Sequence, residues 1–150
     1  MRLYLVHHGD AVTPDIDPMR PLSTDGRAAV ETLAQRALAR GVKPAVIQHS
    51  GKLRARQTAE IFWRACNPLA EFSATSGLQP DDPPRWIAET LIGEVRDVML
   101  VGHMPHLAGL RRLLVGGDSH RDAPQFPLHG VVELEKKEED AQWVETDSDV

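Results

Sequence analysis

A single cysteine, Cys66, occurs in the 150 residues. That excludes an intramolecular disulfide and any zinc site built from cysteines. Aromatic residues are scarce, at 5%. Trp63, Trp86 and Trp143 have no basic stretch around them, so packing is expected of them rather than base stacking. No apolar run approaches the roughly 20 residues that span a bilayer. The first one, Leu3-Tyr4-Leu5-Val6, is too short for a secretion signal. Positive charge is not in excess either: the net charge is −5, which opposes non-specific binding to nucleic acid or an anionic membrane. A cytoplasmic protein with no nucleic-acid or membrane partner is the expectation.

What is present is an ordinary globular balance, 41% hydrophobic and 26% charged, in a chain of one-domain length. The acid is unevenly spread. Residues 133–150 hold eight acidic residues and two lysines, a net of −6 within the −5 of the whole chain, so residues 1–132 carry +1. The body is therefore close to neutral and able to hold an anion. One domain over residues 1–150 is expected, with the acidic end from about 146 to 150 frayed.

Short apolar runs alternate with stretches of helical period. Residues 2–8, 44–49, 71–75 and 97–102 read as strands. Helices are expected from a cap at Ser23 or Thr24 to about Arg40, over 51–66, over roughly 84–94, and over 106–115 after Pro105. The segments 130–136 and 141–146 read as a hairpin around Glu138-Glu139-Asp140. Alternation with continuous apolar strands predicts a three-layer α/β/α sandwich with a mostly parallel central sheet. Such sheets bind ligands where strands end at their carboxyl edge, here His7-His8-Gly9, His49-Ser50-Gly51 and Gly102-His103.

His8 closes a strand, and Gly9 after it permits a sharp turn and close approach of a substrate. A histidine at such an edge can act as nucleophile, base or ligand. The segment Ser50 to Thr58 follows a strand and opens a helix, where free N–H groups favour an anion. Arg54 adds a planar fork suited to phosphate. Arg56 points about 200° away around the helix and reads as a solvated surface charge. Val101-Gly102-His103-Met104-Pro105 repeats the arrangement of strand end, glycine, histidine and helix start.

Four segments in this order, Leu5-Val6-His7-His8-Gly9-Asp10-Ala11, Arg20-Pro21-Leu22-Ser23, Ser50 to Thr58 and Gly102-His103-Met104-Pro105, resemble the histidine phosphatase superfamily of phosphoglycerate-mutase-like fold. The length and the Arg-Pro-Leu-Ser segment look most like the small SixA-type phosphohistidine phosphatases. The resemblance implies a covalent mechanism. His8 matches the phosphoryl-accepting nucleophile, Arg54 a phosphate-holding arginine, and His103 the second pocket histidine. Arg20, His7 and Gly9 are placed with the phosphate. No metal or other cofactor is implied. A metal reading of His7, His8, His103 and His106 lacks a clear carboxylate ligand beside them. His49 reads as structural, and His120 and His129 carry no assignment.

The sequence departs from the family pattern in two places. His7 stands where the family has arginine, so a permanently charged bidentate donor gives way to a group mostly neutral at pH 7. No carboxylate occupies the Ser76-Gly77-Leu78 segment, where relatives carry a proton donor; Asp81 or Asp82 is the nearest substitute. A site without a dedicated acid suits an activated phosphoryl group, phosphohistidine above all. The expected activity is removal of a phosphoryl group from a phosphorylated protein, such as a histidine phosphotransfer domain. Two alternatives stand beside it: a pseudo-phosphatase that binds phosphate or phosphohistidine with little turnover, and a phosphatase for a small metabolite.

Overall fold

Strand β1 (Arg2–His7) is apolar throughout its middle because both of its faces are covered. Leu3 and Leu5 face one core cluster, and Tyr4 and Val6 the other. A computed structural model describes residues 1–116, 125–138 and 142–149. After β1 come α1 (Thr24–Ala39), β2 (Val46–His49), α2 (Leu53–Cys66), β3 (Glu71–Ala74), α3 (Pro84–Thr90), β4 (Val98–Gly102), α4 (His106–Val115), β5 (Val131–Glu135) and β6 (Val144–Asp149).

The six strands form one sheet in the order β3-β2-β4-β1-β5-β6. β3, β2, β4 and β1 are mutually parallel, while β5 and β6 are antiparallel additions. The chain runs from β1 past β4's place to β2 and outward to β3, then returns to insert β4. Right-handed crossovers made in opposite directions put their helices on opposite faces. Accordingly α1 and α2 bury Val30, Leu33, Ala59 and Phe62 on one face, and α3 and α4 bury Ile87, Leu107 and Leu110 on the other. Each of the larger side chains, Ala59 aside, contributes about 1.5–3 kcal/mol on full burial. The expected sandwich with its mostly parallel sheet is the observed one.

Helix α1 starts where Ser23 Oγ accepts the Gly26 amide at 2.9 Å. Helix α3 is shorter than its expected span to about 94, ending at Thr90 before Gly93 turns the chain with φ 79°. The acid-rich end does not fray from 146: it pairs with β5 through Asp149. Backbone pairing supplies the order, and Arg40 reaches Asp147 at 2.6 Å while Arg111 reaches Glu145 at 2.8 Å. The expected hairpin is real, but its turn at Glu139 and Asp140 lies outside the described residues, as does His120.

Candidate active site

Parallel pairing brings three strand ends level. His7 lies opposite Gly102, and His49 opposite Val101. The chain leaves the sheet at this edge, so the side chains after each strand converge. Successive residues of a strand face opposite sides, yet His7 and His8 have ring centroids 4.6 Å apart. The strand ends at His7, and His8 begins the departure, with its amide donating to the Gly102 carbonyl at 3.1 Å.

Four imidazoles gather here. The His7 ring stacks on His129 with centroids 4.7 Å apart and planes 10° apart. His8 lies 5.0 Å from His103 and 5.8 Å from His129. Backbone groups dictate three of the tautomers. The Gly9 carbonyl can only accept, so His8 Nδ1, 2.7 Å away, carries a proton and Nε2 keeps a lone pair. His129 Nδ1 likewise donates to the His8 carbonyl at 2.5 Å, which leaves the His129 Nε2 lone pair available. His7 is the reverse case. Its Nδ1 accepts the His129 amide at 2.8 Å, so neutral His7 carries its proton on Nε2 and acts as a donor. His103 Nε2 meets Ser50 Oγ at 2.6 Å, and its buried Nδ1 has no protein partner.

The electrostatics favour an anion. Burial, then the charges of His8, His129 and Arg54, pushes His7 down to about 3. Burial lowers His8 to about 4 against the opposing Gly9 hydrogen bond, with Arg54, His129 and Arg20 adding to the fall. Burial, then His8, Arg54, Lys52 and His7, takes His103 to about 3. Arg54 is itself lowered by burial and by Arg20. These imidazoles are thus neutral at pH 7, and His8 holds the unprotonated nitrogen that nucleophilic attack requires. Arg54 Nε is buried without a partner, and among the described residues no carboxylate pairs with Arg54 or Arg20. An anion between them would complete the site.

Of the residues singled out in the sequence, His8, His7, His103, Arg54 and Arg20 do converge. Arg20 arrives on the loop before α1 with φ 50° and donates Nε to the Val12 carbonyl at 3.1 Å. Arg56 faces outward as expected and pairs with Glu60 at 3.0 Å. Gly9 departs from its expected place beside phosphate. Its amide is committed to Thr58 Oγ1 at 3.0 Å, and a Cβ there would stand 2.5 Å from Val30 Cγ2. Gly9 therefore orients His8 through its carbonyl and allows close packing on α1. Asp82 does not replace the missing acid: its carboxylate accepts the Gln79 amide at 2.9 Å, and Asp81 is exposed. His49 is structural, accepting the Gly51 amide at 3.0 Å.

Sequence reading missed three residues. Thr58 ties Gly9 to α2, and Gly26 lets the α1 start sit against the Asp10 carbonyl, which a Cβ would approach to 2.1 Å. His129, the third, precedes β5, and no local pattern marks it. Its own backbone is left-handed, φ 52°, and its ring stacks on His7 at the end of β1.

A ring nitrogen of His7, His8 and His129 lies within 4.8 Å of one from each of the others, among the described residues the one group of histidine, cysteine and carboxylate ligands so gathered. His106 is not part of it. A metal bound by all three would require His7 to give up its acceptor role toward the His129 amide, since its Nε2 is protonated.

No protein-family profile and no curated sequence matches the chain. Solved structures do. The candidate phosphohistidine phosphatase SixA from Agrobacterium tumefaciens is 26% identical, with a TM-score of 0.82 over 99% of this chain and 97% of that one. The protein histidine phosphatase SixA bound to tungstate is 23% identical, with a TM-score of 0.85 over 99% and 96%. A phosphoserine phosphatase from Entamoeba histolytica in complex with 3-phosphoglyceric acid is 14% identical, with a TM-score of 0.73 over 99% and 96%. The chain has the histidine phosphatase fold, as the resemblance in its sequence implied. The similar structures support a phosphatase.

Proposed function

We propose that the protein is a phosphohistidine phosphatase that hydrolyses a phosphorylated protein through a covalent intermediate on His8. The observation that carries this reading is the His8 side chain. Its Nδ1–H is held by the Gly9 carbonyl, so the Nε2 lone pair is presented beside Arg54, Arg20 and His103. Phosphoryl transfer requires an in-line nucleophile and a fixed positive cradle. Nε2 bonds to phosphorus as the bond to the leaving group breaks, and water then releases phosphate from His8.

The substrate class follows from what the site lacks among the described residues. With Asp82 turned to Gln79 and no acid at Gly77, an alkoxide leaving group would depart without a proton. Protonated imidazole departs unaided, so phosphohistidine is favoured over a sugar phosphate. A protein substrate, such as a histidine phosphotransfer domain, is supported by the exposed apolar Met19 and Leu128, each the chain neighbour of a pocket residue. No described helix is long and apolar enough to cross a membrane, and a cytoplasmic site of action is part of the proposal.

One observation favours a second reading, a binding protein with little turnover: neutral His7 in the place of an arginine. Incubation with phosphoramidate, followed by an alkaline quench, separates the two. A phosphatase forms an alkali-stable, acid-labile phosphoenzyme that His8→Ala abolishes along with hydrolysis, while the variant's thermal unfolding stays close to wild type. A wild-type protein that binds phosphate and takes up no phosphoryl group is the binding protein.

A further inference from the structure

His129 has the features of a reacting group and no part in the mechanism so far. It is one of only two described non-glycine residues with left-handed backbone, the other being Arg20 in the same pocket. Such conformations cluster at functional sites because surrounding structure must hold them. The His129 ring is fixed on both sides, stacked on His7 and hydrogen-bonded to the His8 carbonyl. That bond occupies Nδ1 as a donor, so the nitrogen left over is a proton acceptor adjoining the nucleophile's own ring.

Among the described residues, no other group is both held in place by the backbone and left with an accepting nitrogen beside His8. His7 presents N–H, Arg54 and Arg20 only donate, and Asp82 is engaged elsewhere. His103 Nε2 meets Ser50 Oγ, and its Nδ1, buried without a protein partner, is fixed by no backbone group as the His129 ring is. Hydrolysis of a phosphorylated His8 needs a water placed beside phosphorus and a base to receive its proton.

We propose that His129 is the general base that orients the hydrolytic water and removes phosphoryl from His8. The inference rests on the covalent reading above and concerns its second half. The water oxygen bonds to phosphorus as the bond from phosphorus to His8 Nε2 breaks. The electron pair of that bond returns to Nε2. The water's proton passes to His129 Nε2, inorganic phosphate leaves, and His129 then gives the proton to solvent. The first half draws no proton from His129. That matches a substrate whose leaving imidazole carries its own.

Two substitutions isolate the accepting nitrogen. His129→Asn tolerates the left-handed backbone. Its side-chain amide can keep the donor to the His8 carbonyl, and the backbone N–H to His7 survives. His129→Gly also suits φ 52° and opens space for free imidazole. Each protein is labelled with phosphoramidate, and uptake and loss of the phosphohistidine label are timed. The expected result is uptake by His129→Asn at close to the wild-type rate, with loss slowed by about 10²–10⁴. Added imidazole should speed loss from His129→Gly, a rescue that a merely structural role would not show. Loss from His129→Asn at the wild-type rate overturns the proposal, and so does failure of His129→Asn to take up label that the wild type accepts. Failure of imidazole to act on labelled His129→Gly overturns it as well. A wild-type protein that never takes up label overturns the covalent reading itself.

Discussion

The carboxyl ends of β1, β2 and β4 and the antiparallel edge β5–β6 hold similar cations in opposite company. In the pocket, Arg54, Arg20 and several imidazoles stand without a carboxylate partner among the described residues. At the edge, Arg2 meets Glu133, Arg40 meets Glu133 and Asp147, and Arg111 meets Glu145. The cations of one region are matched within the fold, and those of the other await an anion from outside. The uneven charge of the chain follows the same division, with a net of −6 over residues 133–150 and +1 over residues 1–132.

Breaking the pocket should have the largest effect. Arg54→Lys keeps the charge and loses the planar fork. Turnover of phosphohistidine should fall by about 10²–10³, as for loss of one preorganised donor. Chemical denaturation should be little changed, because Arg54 Nε has no protein partner to lose. A variant with wild-type turnover would remove Arg54 from the phosphate site.

An acid titration sharpens the contrast next. Folding lowers His8 to about 4, and His7 and His103 to about 3, below the ordinary 6.5. The unfolded chain therefore binds more protons than the folded one between these limits, so stability falls as pH drops. The loss begins near 6.5 and continues through about 4 and about 3. Activity on a small phosphoramidate should fall on the acid side as the coupled imidazoles charge, reporting the set rather than one residue. A denaturation midpoint that stays flat from pH 6.5 to 4 would show that burial does not hold the rings neutral.

The smallest effect belongs to the edge. Arg40→Gln removes ion pairs whose side chains are roughly a third to half exposed at Arg40 and Asp147. The change in stability should be no more than about 1 kcal/mol, with turnover unchanged. A loss of activity in this variant would mean that the edge acts on the pocket, and the division between the regions would fail.

The three-layer fold was legible because its signals are local. Apolar runs too short for helices mark β1, β2 and β4, and glycine and proline punctuate the chain between them. The outward face of Arg56 followed from helical geometry alone. His8, Arg54 and His103 were legible for a related reason, since each sits where a strand ends or a helix begins. Helix α3 and the end of β6 were misjudged because a stop depends on one turn's conformation and an edge strand on its partner.

What the sequence determined by itself was the order of elements, the sheet edge at which chemistry would gather, and the identity of the groups available there. Tertiary structure decided which nitrogen each of three imidazoles presents. The Gly9 carbonyl sets His8, the His129 amide sets His7, and the His8 carbonyl sets His129, so one residue type presents an N–H at one ring and a lone pair at the other two. Two of these bonds join positions more than 120 residues apart. Their physical origin is the pairing of β5 with β1, which no local pattern around His129 records.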